Sequence, residues 1–297
     1  MVIVKLQGGL GNQMFQYAAA RNLIKNSEKV YLDYQYLNEN NTDTEHFTAR
    51  PFELGIFKNL KIEKVAGWRK KLLLSRRRPL RLLRALWKKQ LQYIRQQENE
   101  LVTFTPQQKN ASLYLDGYFQ SEKYFERLRK QLLHEFEFPE FDNFNESIKQ
   151  EILKAPNAVS IHIRRGDYLK SEKILNVHGV MPYAYYQNAL DTLALKFQDL
   201  ELFIFSEDLE WVKTNFKQYN AHFLDHNRAV DSWKDMALMA CCKHHVIANS
   251  SFSWWGAWLS QNDNGCVFAP ASWFNPKTVN FNIADFIPER WSLLSFE

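Results

Sequence analysis

Ala158-Val159-Ser160-Ile161-His162-Ile163-Arg164-Arg165-Gly166-Asp167-Tyr168 is an apolar run that breaks into an imidazole, two guanidiniums, a carboxylate and a phenol around one glycine. The run reads as a buried strand, and in an open α/β sheet ligands bind outside the carboxyl ends of strands. Strand alternation turns His162 and Arg164 to one face and Ile161 and Ile163 to the other. Adjacent arginines at such a place suit a phosphorylated or carboxylated ligand, held by forked, charge-assisted hydrogen bonds. The plainer alternative is a solvated loop closed by an Arg–Asp ion pair, since charge clusters also arise in structural networks.

Working outward, the second half repeats a strand–helix rhythm. Helices are expected at 182–197, 208–216, 232–242 and 253–260, and strands at 202–206, 245–248 and 266–269, the last being the final strand. That alternation predicts a parallel sheet. The first half opens the same way. Val2–Leu6 is a strand, Gln7-Gly8-Gly9-Leu10-Gly11-Asn12-Gln13 a glycine-rich turn, a helix runs to about Lys25, and Val30–Asp33 completes a βαβ unit. The glycines either let backbone approach an anion at the helix start or merely make a tight turn. A dinucleotide fingerprint needs a third glycine where Met14 stands. The polar, proline-containing stretch from Pro139 to Asn145 separates the halves, giving domains of 1–145 and 146–297.

The net charge of +5 is concentrated. Eleven lysines and arginines and no acids lie between Arg69 and Arg95, so 27 bases face 33 acids elsewhere. The region 58–97 lacks strand alternation and is rich in Leu, Lys and Arg, which predicts one or two helices with a basic amphipathic face. Such a face packs on its own domain or lies peripherally on an anionic membrane surface. Nucleic acid fits less well, because the bases interleave with leucine rather than stacking aromatics. No apolar run of about 18 residues is present, and the chain enters a strand at once; with three cysteines lacking ligand spacing, the expectation is a cytoplasmic protein.

Asn249-Ser250-Ser251-Phe252-Ser253-Trp254-Trp255-Gly256-Ala257-Trp258 follows the penultimate expected strand. Serines at a helix start supply caps and free amides for an anion; the tryptophans read as core. His244 and His245 face opposite sides of a strand and cannot chelate together. No Asp-x-Asp pair exists to hold Mg²⁺ on a diphosphate, so the expectation is no metal and no cofactor. The anion would then fall to Arg164, Arg165 and the Ser250–Ser251 helix start. A Ser–His–Asp hydrolase lacks its Gly-x-Ser-x-Gly elbow.

Three stretches in order, 8–18, 162–168 and 250–257, closely resemble the α-1,2-fucosyltransferases of glycosyltransferase family 11, a resemblance running from Val2 to about Trp273. It implies an α/β fold of two Rossmann-like domains of the glycosyltransferase B type; the helical basic insertion expected in the first from its composition falls outside the motifs and carries no family inference. It implies GDP-β-L-fucose as donor, a galactose-terminated oligosaccharide as acceptor, and transfer to the galactose 2-hydroxyl with inversion. Animal members carry a membrane anchor, so a chain without one points to a bacterial, cytoplasmic member. More distant fucosyltransferases are similar around His-x-Arg-Arg. By that likeness Arg164 holds the β-phosphate, His162 helps hold guanine, and Asp235, fifteen residues before Ser250, reads the guanine amine. Ser251 and Phe252 meet the diphosphate, and Asn12, beside Gly11, lines the donor site. Arg164 and Asn12 are thus expected in catalysis as well as binding. For the general base that takes the hydroxyl proton, Asp167 comes first. Glu172 matches the base's offset in the core-fucose enzymes, and His162 is third because guanine would occupy it. Asp167 has its own bland reading, an ion pair with Arg165. His178-Gly179 and Asp116-Gly117-Tyr118 are either acceptor-facing loops or simple turns. Two other classes compete: a non-catalytic sugar-nucleotide binder, disfavoured by the intact phosphate clamp and base candidates, and a nicotinamide oxidoreductase, disfavoured by the missing glycine.

Overall fold

The computed structural model describes residues 1–44, 47–67, 91–97, 100–105, 108, 111–169, 172–275, 278 and 282–295. The chain divides into two compact units, Met1–Asp43 with Ala49–Glu137, and Thr44–Thr48 with Phe138–Glu297. Each is a parallel α/β layer structure, the architecture that the strand–helix alternation predicts.

The first unit holds strands β1 (Val2–Lys5), β2 (Val30–Asp33), β3 (Ile62–Lys64), β4 (Leu91–Arg95) and β5 (Ser112–Asp116) in the order β3-β2-β1-β5-β4. Every pairing is parallel. Two of these strands correct the expectation of helices across 58–97. Leu91–Arg95 is only five residues long, too short for its alternation to stand out, but it pairs with β5 along its whole length. Tyr93 stacks on Tyr114 across that register at 5.2 Å, the cross-strand contact that favours a sheet. The basic, leucine-rich run 68–90 lies outside the described residues. The helix Leu10–Arg21 is buried along nearly its whole length. Its buried Arg21 pairs with Glu135 at 3.0 Å, and Tyr17 donates to the same carboxylate at 2.7 Å, tying the Arg129–Glu135 helix to it.

The second unit holds β6 (Asn157–Ile163), β7 (Leu200–Ser206), β8 (Ala221–Leu224), β9 (His244–Val246), β10 (Val267–Pro270) and β11 (Ser292–Leu294). Their order, β11-β10-β9-β6-β7-β8, is all parallel. Numbered within the unit it is 3-2-1-4-5-6, the doubly wound dinucleotide-fold order, with its switch point between β6 and β9. Val159, Ile161 and Ile163 pack on one face against the Tyr183–Ala194 and Leu209–Phe216 helices. Ala158 packs on the other face with Ile148, Ile152, Leu238 and Met239, from the Asn143–Lys154 and Trp233–Cys241 helices. The expected last strand is followed by β11, a three-residue edge strand with two exposed positions, too short and polar to carry a hydrophobic signal. Trp254, Trp255 and Trp258 are fully buried, as the core reading expects. Gly256 lets their helix (Ser251–Leu259) close onto the Trp233–Cys241 helix, because a Cβ there would press on Met239.

Candidate active site

At the switch point of the second sheet His162, Arg164, Tyr168 and the Asn249–Phe252 stretch come together. His162 is the penultimate residue of β6 and is 7% exposed; its ring lies 5.8 Å from that of Phe252, and Tyr186 donates to its carbonyl at 3.3 Å. Arg164 has left the strand, and its guanidinium sits 5.5 Å over the Tyr168 ring. The Tyr168 hydroxyl donates to the Asn249 carbonyl at 3.1 Å, and its ring stacks on His178 at 4.8 Å. The His162–Tyr168 stretch at the end of β6 and the serine stretch after β9 therefore meet, through Tyr168 and Asn249, 81 positions apart.

Ser250 is the N-cap of the Ser251–Leu259 helix. Its hydroxyl oxygen accepts the Phe252 amide at 3.3 Å, while Ser253 donates to the Ser250 carbonyl at 3.3 Å. That cap places the first-turn amides, including that of Ser251, beside the carboxyl ends of β6 and β9, where an anion is favoured. Asn249 organises three loops at once. Its buried amide donates to the His178 carbonyl at 2.8 Å and to that of Trp273 at 3.1 Å, and its own carbonyl receives Tyr168. Gly179 takes φ 67°, a left-handed turn in which glycine is favoured.

Asp235 lies in the first turn of the Trp233–Cys241 helix. Asn227 donates to its carboxylate at 2.7 Å and exchanges two amide hydrogen bonds with Asn145, at 2.8 and 3.1 Å. Burial lifts the Asp235 carboxyl to about 7; the Asn227 bond works against that, and the charges of Asp225 and Glu207 add to it.

Arg165 points elsewhere. Its Nε donates to Asp208 at 2.9 Å and its guanidinium covers the Trp211 ring at 4.5 Å. The carboxylate partner described for it is Asp208; the alternative ion pair with Asp167 rests on a side chain outside the described residues. Asp167 opens the 3₁₀ turn Asp167–Leu169, and its side chain lies outside the described set. Glu172 is exposed at the first position of the Glu172–His178 helix.

In the first unit the switch point falls between β1 and β5. Gly8, at φ 76°, leaves β1, and Gly9 caps the helix that carries Gly11 and Asn12 in its first turn. A side chain on Gly8 would collide with Asn12, whose side-chain Oδ1 accepts from the Gln120 amide at 2.7 Å. Gln13 fixes this turn to the 51–53 segment, donating to the Gly8 and Pro51 carbonyls and accepting the Glu53 amide. Gln16 bonds both backbone groups of Gln7 and the Gly117 carbonyl, closing β1 against β5. Asp116 pairs with Lys5 at 3.0 Å and receives the Tyr93 hydroxyl. Gly117 and Tyr118 sit against Gln96, which accepts the Tyr118 amide at 3.0 Å.

Among the described residues no group of three His, Cys, Asp or Glu side chains could hold a metal ion. His244 and His245 are each committed elsewhere. His245 meets Ser160 at 2.8 Å and is pushed down to about 3 by burial; His244 accepts the Cys266 amide and is pushed down to about 4 by the same cause. Among the described residues no helix is long and apolar enough to cross a membrane.

Sequence reasoning missed Asn249, Asn227, Asp208 and Trp211. Asn249 had a signal, an amide wedged between a strand and a serine cap. Asp208 stands three residues before Trp211 as a helix cap, but nothing local indicates that Arg165 is its partner.

Known proteins resemble this chain along most of its length. The family model "Glycosyl transferase family 11" matches residues 1–292. An alpha-1,2-colitosyltransferase of Escherichia coli is 33% identical, the alignment covering 98% of each chain. The O-antigen biosynthesis glycosyltransferase WbnK of the same species is 33% identical over 91% of this chain and 93% of its own. Human galactoside alpha-(1,2)-fucosyltransferase 1 is 28% identical over 61% of this chain and 55% of its own. Among solved structures, NodZ alpha-1,6-fucosyltransferase soaked with GDP-fucose aligns over 87% of this chain and 92% of its own, with 13% identity and a TM-score of 0.46.

Proposed function

Because the chain belongs to glycosyl transferase family 11, and so is a glycosyltransferase, we propose that it transfers L-fucose from GDP-β-L-fucose to the 2-hydroxyl of a terminal β-galactose, with inversion, in oligosaccharide biosynthesis. The observation that supports this reading is the meeting of the His162–Tyr168 and Asn249–Phe252 stretches at one sheet switch point.

Breaking the fucose–diphosphate bond leaves the electron pair on a β-phosphate oxygen. A preorganised guanidinium and helix-start amides stabilise the charge that develops there. In this reading Arg164 and the Ser250–Phe252 helix start meet the diphosphate, with Gly11 and Asn12 as further donor residues by family resemblance. No metal enters the account. Guanine presents an N1–H and an amine, for which ionised Asp235 is an acceptor pair, and His162, near the end of β6, is a further guanine contact by family resemblance. The galactose hydroxyl must surrender its proton as its oxygen attacks the anomeric carbon. Asp167 is the proposed base: Glu172 is exposed and His162 is packed beside Phe252. His178 and the Asp116–Tyr118 corner are proposed acceptor contacts.

A second donor is favoured by one finding, the 33% identity over 98% of the chain with a colitosyltransferase. Colitose is L-fucose lacking the 3-hydroxyl, so one site architecture serves either sugar. The test is a panel of β1,3- and β1,4-galactosides incubated with GDP-fucose or GDP-colitose, with the product linkage assigned by NMR. An α-1,2 linkage supports the proposal. No transfer from either donor, a different linkage position, or retained anomeric configuration overturns it.

A further inference from the structure

We propose that the adjacent arginines divide their work: Arg164 meets the donor diphosphate, whereas Arg165 is a positioning residue that locks the Arg164 turn onto the end of β7 through Asp208 and Trp211. The first clause rests on the proposed function; the second rests on contacts within the second unit.

Asp208 is fixed before Arg165 reaches it. Its amide donates to Ser206 at the end of β7 at 3.1 Å, and one carboxylate oxygen caps the Leu209–Phe216 helix by accepting the Trp211 amide at 3.2 Å. The other oxygen receives Arg165 Nε at 2.9 Å, with the two side chains 19% and 28% exposed. Trp211, on that same helix, takes the flat face of the guanidinium. One edge and one face of Arg165 are therefore committed to a single rigid corner, a use that suits a planar guanidinium and not an ammonium. The neighbouring residues fit the same docking. Ser206 is the register partner of Ile163, and a side chain on Gly166 would collide with Glu207. The Arg165 carbonyl accepts the Leu169 amide at 3.0 Å, closing the turn that carries Tyr168, the ring beneath Arg164. A diphosphate brought to Arg165 would also have to share it with the Asp208 carboxylate, a like charge.

Two readouts separate a phosphate ligand from a positioning residue. The first is the preference for GDP over GMP, measured by calorimetry, because only a residue that touches the β-phosphate carries that ratio. Arg164→Ala should lower it by tenfold or more, while Arg165→Ala should leave it within about threefold of the wild type. The second is coupling. Asp208→Asn should reproduce the loss of kcat/KM seen in Arg165→Ala, and the double variant should be no worse than either single one. Arg165→Lys, which keeps the charge but not the stacked plane, should recover part of the activity and serves if Arg165→Ala fails to fold. Collapse of the GDP preference in Arg165→Ala or Arg165→Lys, or wild-type turnover in Asp208→Asn, would overturn the division. If the wild type itself prefers GDP no more than GMP, the diphosphate reading of Arg164 fails instead.

Discussion

In the proposed function Asp235 meets guanine, and that role would give donor binding a pH dependence whose size follows from its surroundings. Burial raises its carboxyl from 3.8 to about 7, with Asp225 and Glu207 adding to the shift and the Asn227 amide opposing it. Guanine needs the ionised form as acceptor. With a midpoint near 7, about one molecule in eleven is ionised at pH 6 and about ten in eleven at pH 8. The apparent dissociation constant should therefore be about tenfold weaker at pH 6 than at pH 8. GDP-fucose is the right titrant, because its esterified diphosphate does not titrate in this range, whereas the terminal phosphate of GDP does. The linkage to folding runs in the opposite sense. A carboxyl whose folded value is raised favours the protonated native state, and that stabilisation is lost as pH rises through about 7. Asp235→Asn should thus raise the unfolding temperature at pH 8 but not at pH 4, the limit being about 4 kcal/mol from a shift of about three units. The same variant should bind GDP-fucose weakly and without a pH slope. Asn227→Ala, by removing an opposing hydrogen bond, should move the midpoint of the slope upward. His226 also titrates nearby, lowered from 6.5 by burial. A wild-type profile that is flat from pH 6 to 8, or an unchanged slope in Asp235→Asn, would refute the reasoning.

Arg164→Ala should cut kcat by at least about 10²-fold while leaving circular dichroism and melting near those of the wild type; near-normal turnover in the folded variant would remove Arg164 from the phosphate role. Full transfer activity is expected in EDTA, and strict dependence on added Mg²⁺, read in the same assay, would contradict the metal-free account. Trp255→Ala should cost about 3–5 kcal/mol in urea unfolding through the cavity it opens beneath the serine-capped helix, and a loss below about 1 kcal/mol would show that the tryptophan cluster is not core.

Much of the site is local in sequence. The strand run before His162, the glycine turn before Asn12 and the serines at a helix start are each a few residues long, so their chemistry and their place at element ends are readable without tertiary contacts. The spacing of Trp254, Trp255 and Trp258 likewise marks a buried helix face. Hydrophobic periodicity has a lower limit, however. Leu91–Arg95 and Ser292–Leu294 are too short to show it, and their neighbours in the sheet make them strands. Composition misled in the same place, because Leu, Lys and Arg favour helix on average while the Tyr93–Tyr114 register favours the sheet.

By itself, then, the amino-acid order determined which residue types stand at strand and helix ends, the parallel α/β class and the family. Only the tertiary structure decided that β9 lies beside β6, which brings two separate motifs to one switch point. It also decided that Arg165 turns to Asp208, 43 positions away, and that Asp235 is buried against Asn227. The physical reason is the range of the forces involved. Dihedral preference, capping and hydrophobic period act within a few residues, whereas strand order, ion-pair choice and a carboxyl's desolvation are set by which distant segments pack together.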